Sequence, residues 1–67
     1  PEFSEAVKWY LQAAEQGHAD SQFNLGEIYE AGVVVSQDNA EALKWYRKAA
    51  EQGHEKARYH LEIMSRI

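Results

Sequence analysis

Glu5-Ala6-Val7-Lys8-Trp9-Tyr10-Leu11-Gln12-Ala13-Ala14-Glu15-Gln16-Gly17-His18 returns 36 residues later as Glu41-Ala42-Leu43-Lys44-Trp45-Tyr46-Arg47-Lys48-Ala49-Ala50-Glu51-Gln52-Gly53-His54. Eleven of the fourteen positions are identical. A fixed period of this length marks a repeat architecture, in which each unit is one supersecondary element that cannot bury its apolar face alone. The echo continues more weakly beyond His18, pairing Phe23 with Tyr59, Leu25 with Leu61 and Ile28 with Met64.

Within each copy the apolar spacing is helical. Ala42, Leu43, Tyr46, Ala49 and Ala50 form one stripe of a 3.6-residue helix, and Ala6, Val7, Tyr10, Ala13 and Ala14 repeat it. Asp38 suits an N-cap, and Gly17 and Gly53 suit left-handed stops, which predicts helices at about 4–16 and 38–52. Ser21, Leu25 and Ile28, and then Ala57, Leu61 and Met64, predict intervening helices at about 19–31 and 55–66. The short connections across Gly17 and Gly53 force antiparallel neighbours, whereas 32–37 is a longer loop. Val33, Val34 and Val35 favour a strand by propensity, but without a partner strand they read as a loop packing on the helix ends.

Sixty-seven residues make one small domain, and 27% charged with 45% hydrophobic residues is an ordinary globular balance. The longest aliphatic run, Val33 to Val35, is far short of a membrane span, and no charged-then-apolar leader opens the chain. Cysteine is absent, which excludes disulfides, thiolate metal sites and a cysteine nucleophile. Seven Lys and Arg against eleven Asp and Glu give a net charge of -4 and a pI of about 5.2, the wrong sign for nucleic acid or an anionic membrane. Nothing in the composition assigns a compartment.

These residues resemble the Sel-one-like repeat family, a branch of the tetratricopeptide-like alpha solenoids. Leu25, Gly26, Tyr29, Gly32, Val35, Asp38, Ala42, Trp45, Tyr46, Ala49, Ala50 and Gly53 carry the match. The resemblance implies an all-α, right-handed solenoid fragment of four antiparallel helices. It divides the chain into the second helix of a preceding repeat at 4–18, a complete repeat at 19–54 and the first helix of a following or terminal repeat at 55–67. Residues 1–3, Pro1-Glu2-Phe3, are similar to a cloning-vector remnant. Three departures stand out. Val34 occupies the family's second loop glycine; Glu62 and Ser65 replace the glycine and tyrosine held by Gly26 and Tyr29; and the chain has no cysteine, unlike the family's disulfide-bridged branch.

No catalytic constellation is visible. His18 and His54 sit one repeat apart and His60 points elsewhere on its helix, so neither a metal site nor a cofactor is expected, and the two turn histidines read as helix-ending residues. Ser4, Ser21, Ser36 and Ser65 lack a nucleophile elbow, and Glu27 with Glu30 reads as a solvated or partner-facing acidic strip. The chain is not expected to be an enzyme. Trp9-Tyr10 and Trp45-Tyr46 recur with the period and read as interhelical packing.

At 100° per residue, Asp20, Phe23, Glu27 and Glu30 share a face turned away from Ser21, Leu25 and Ile28, and the later copy supplies Lys56, Tyr59, Ile63 and Arg66. Resemblance to tetratricopeptide-like solenoids suggests that this face lines a concave groove for a protein or peptide, with Phe23 and Tyr59 as its aromatic floor. Alternatively, the two rings pack on one another as solenoid filler. The expected function is protein–protein interaction, as an adaptor or scaffold. The rival is a structural or capping segment that touches only its neighbours and self-associates through its terminal helices, around Ala6, Tyr10 and Ala14.

Overall fold

A computed structural model describes residues 3–32 and 35–66. Four helices follow one another: α1 (Phe3–Glu15), α2 (Ala19–Ala31), α3 (Asn39–Glu51) and α4 (Glu55–Ser65). Each agrees with its predicted range to within a residue or so, and no strand occurs among the described residues. The readings of Val33 and Val34, including the lost loop glycine, and those of Pro1 and Glu2 fall outside the described residues. Val35 is half-buried.

The helix boundaries have local causes. Gly17 and Gly53 take φ of 96° and 86°, where a side chain would strain the backbone. After each, the glycine N–H donates to Ala14 or Ala50 and the histidine N–H to Ala13 or Ala49, closing the helix with paired terminal bonds. Thus His18 and His54 do end α1 and α3, through their main chains. They also stand at the N-caps of α2 and α4, a second role that composition alone does not show. Asp38 caps α3 as expected, its carboxylate accepting from the Glu41 N–H at 3.1 Å. The loop between α2 and α3 is tied back by Asp38 N–H to the Tyr29 carbonyl and by the Gln37 amide to the Glu30 carbonyl.

Helix α2 packs between α1 and α3, and α4 packs on α3. Adjacent aromatics of α3 enter different parts of the core. Trp45 fills the cleft between α1 and α2 against Ala14 and Leu25, flanked by Val7, Leu11 and Ile28. Tyr46 joins Phe23, Ala42, Ala49 and Ala57 in a second cluster, and Tyr29 borders both. Ala14 is therefore buried core, not part of an exposed α1 face. Trp9 and Tyr10 do not repeat the burial of their counterparts: Trp9 is 68% exposed and Trp45 only 4%. The reason is positional. Trp45 has an α1–α2 cleft to enter, whereas no described residue covers Trp9.

Gln22 is the one buried polar residue among those described, and both its amide nitrogen and its amide oxygen are hydrogen-bonded. It donates to the Ala14 carbonyl and accepts from the Gln52 amide, both at 3.0 Å, joining α1, α2 and the end of α3.

Candidate interaction surface

The predicted face is built on α2 and α4, which α3 brings side by side. Asp20 in the first turn of α2 receives a 2.9 Å hydrogen bond from His54 Nε2 at the start of α4. The tautomer follows from the other ring nitrogen: Nδ1 accepts from the Ala57 N–H at 3.2 Å, so the proton is on Nε2. His54 thus caps its own helix and ties it to α2. His18, at the same place in the earlier copy, makes no side-chain cap bond. The difference lies in what surrounds each ring, since His54 stacks on Phe23 at a centroid distance of 4.8 Å and His18 is exposed.

That stacking corrects the expectation for Phe23. Its ring is 8% exposed, covered by His54, by the edge of His60 at 5.2 Å and by Tyr46 at 5.7 Å. Phe23 is core and cannot floor an open groove in this chain. Nor does it pair with Tyr59, which is 64% exposed and packs edge-on to its neighbour His60.

Glu30 also differs from a free acidic strip. It is half-buried and accepts a 2.7 Å hydrogen bond from the Tyr46 hydroxyl, with His60 Nδ1 at 3.8 Å from the same oxygen. Burial drives the Tyr46 phenol far above its ordinary range, and the bond to Glu30 and the negative charges of Glu30 and Glu27 push the same way. A tyrosine held neutral in this way is a structural donor. Glu27 remains exposed.

On α4 the expected residues are open. Tyr59 and Ile63, one turn apart, are 64% and 40% exposed, and Lys56 and Arg66 flank them, with Arg66 reaching Glu62 at 3.4 Å. The surface thus has an apolar centre, acidic groups on α2 and basic groups on α4. His54, His60 and Tyr46, which connect its two helices, escaped the face argument because they belong to other helices or other faces. The recurrence of the Gly-His pair was the available signal for His54.

Among the described residues no group of three or more His, Asp or Glu side chains is placed to hold a metal ion, and no helix is long and apolar enough to cross a membrane.

The chain matches the family described as Sel1 repeat over residues 1–18 and again over 19–54. Among solved structures it is similar to a Sel1 repeat protein from Oxalobacter formigenes, at 55% identity and a TM-score of 0.86. The match covers 90% of this chain and 25% of that one, so the present sequence spans about a quarter of that relative. No curated protein matches.

Proposed function

The chain belongs to the Sel1 repeat family, and from that premise we propose that it is a protein-interaction module whose partner surface is formed by α2 and α4. The family is in general a protein-interaction repeat, typically non-enzymatic. The observation that carries the finer reading is the exposure of Tyr59 and Ile63 at the centre of a face with charge of both signs around them. An aromatic with adjoining aliphatic and charged groups is a chemistry suited to gripping a protein or peptide.

The partner suited to this face places an apolar side chain over Tyr59 and Ile63, a basic group toward Glu27 and an acidic group toward Lys56 and Arg66. Asp20 and Glu30 serve differently, Asp20 holding α4 through His54 and Glu30 holding α3 through Tyr46, with His60 of α4 close by. Because these helices are already fixed by packing, the module loses little chain entropy on binding.

Affinity capture from lysate of the source organism tests the proposal, using the wild-type chain and the Tyr59→Ala/Ile63→Ala variant matched in helical circular dichroism. A protein retained by the first and lost by the second supports it. Equal retention by both removes α4 from the partner surface. Phe23 is unsuitable as the probe because truncating it empties the core.

A further inference from the structure

His54 works with both of its ring nitrogens. Nε2 carries the proton and donates to Asp20 at 2.9 Å, while Nδ1 is bare and accepts from the Ala57 N–H at 3.2 Å. A second proton taken from solvent therefore has one place to go, Nδ1, and there it would face the Ala57 N–H donor to donor. The two bonds respond oppositely to that proton. The Asp20 bond then joins an imidazolium to a carboxylate and is strengthened. The cap is lost, and a positive charge stands at the N-terminus of α4, where the helix dipole disfavours it.

The position of Ala57 makes the loss consequential. Ala57 is fully buried, in the cluster with Phe23 and Tyr46. Its N–H is a first-turn donor, for which the helix itself offers no main-chain acceptor. A buried donor left unpaired is costly, so the first turn of α4 must open for water to reach it. Nor can the ring simply turn Nδ1 aside, because the stacking on Phe23 at 4.8 Å and the bond to Asp20 fix its orientation. The earlier copy lacks the device: His18 is exposed and makes no side-chain cap bond to α2, where Ser21 takes the place of Ala57.

The charged and titratable groups packed about His54 come from three helices. Helix α2 supplies Asp20 on the Nε2 side and, beyond Phe23, Glu30, which faces Tyr46 and His60. Helix α3 supplies Tyr46, whose phenol burial keeps protonated. Helix α4 itself supplies Glu55, Lys56 and Arg58 in its first turn, and His60. Among the described residues, His54 Nδ1 is the acceptor bonded to the Ala57 N–H.

We propose that His54 is a proton-operated latch on α4: the neutral ring holds the first turn closed, a second proton opens it, and Asp20 keeps the helix attached to α2 meanwhile. Lys56 lies in that turn. On the reading of α2 and α4 as a partner surface, the latch also governs one of its basic groups; in the free chain it operates without a partner.

Ring-nitrogen NMR of the labelled free chain between about pH 7.5 and about pH 4.5 follows the protonation of each histidine. Amide exchange with water is measured alongside and corrected for its intrinsic pH dependence. As the His54 ring charges, Ala57 exchange is expected to rise about fivefold, the factor a helix cap of typical strength is worth. Ser21 exchange is expected to stay level as His18 charges. His54→Asn supplies an acceptor that does not titrate, and should keep Ala57 exchange level across the range. Asp20→Asn retains an acceptor for Nε2 and His60→Gln removes the neighbouring imidazole, and both should preserve the wild-type response. Circular dichroism checks the fold of each variant; should His54→Asn unfold, the wild-type chain with the other two variants decides. Level Ala57 exchange in the wild-type chain overturns the latch, as does a matching rise at Ser21 or an undiminished rise in His54→Asn. Loss of the response in Asp20→Asn or His60→Gln overturns it too, by assigning the effect to the other titrating group.

Discussion

Tyr46 lies across α2 at Gly26, so close that a single Cβ on Gly26 would come within 2.5 Å of its ring. A glycine inside a helix costs about 1 kcal/mol relative to alanine, so this position trades helix propensity for approach of α3. Gly26→Ala therefore opposes two effects. The overpacking term, about 1–3 kcal/mol, exceeds the propensity gain because the neighbour is a fully buried ring anchored at its far end. Urea denaturation should show a net loss of stability; an unchanged or raised midpoint would mean that Tyr46 moves aside freely.

The hydroxyl of Tyr46 gives a pH-dependent prediction. At neutral pH, Tyr46→Phe should cost about 1.5 kcal/mol through the lost bond to Glu30. The folded chain holds the phenol proton to higher pH than the unfolded chain, whose tyrosine ionises near about 10. Its contribution is therefore complete below that pH and is lost as pH rises above it, by up to about 1.4 kcal/mol per pH unit. Midpoints measured on either side of the ordinary phenol value should fall more steeply for wild type than for Tyr46→Phe. Parallel slopes would contradict the assignment.

The two turn histidines should respond unequally. His54→Ala removes an N-cap, a bond to Asp20 and the cover of Phe23, and should cost about 1–2 kcal/mol. His18→Ala removes an exposed ring with no cap bond and should stay within about 0.5 kcal/mol of wild type. Thermal unfolding of both variants separates this account from one in which the repeated histidines are equivalent.

Asp38→Ala should cost about 1 kcal/mol, because the Glu41 N–H loses its acceptor at the start of α3. Asp38→Asn should recover most of that loss, since the amide oxygen can accept the same bond. Failure of the asparagine variant to recover would place the effect outside the cap.

The repeat made the four helices legible, because Gly17, Gly53 and Asp38 mark boundaries by local conformational needs that sequence states directly. The open residues of α4 were legible too: Lys56, Tyr59, Ile63 and Arg66 share a face by angle alone. Phe23 was not. The angle that put it beside Asp20 and Glu27 shows which residues share a face but not what lies over that face, and its cover comes from His54 and His60, far along the chain. Glu30 is hidden in the same way, since its partner Tyr46 belongs to an interior packing stripe whose spacing does not reveal the polar role of the hydroxyl. Trp9 and Trp45 share the flanking Lys-Trp-Tyr and are opposite in exposure, because burial here depends on having a neighbouring cleft.

The interaction surface on α2 and α4 is tested most directly by amide chemical-shift mapping of the labelled chain titrated with the captured partner. The account predicts perturbations centred on Glu27, Lys56, Tyr59 and Ile63. Perturbations confined to α1 around Trp9 and Tyr10 would contradict it and move the partner surface to α1.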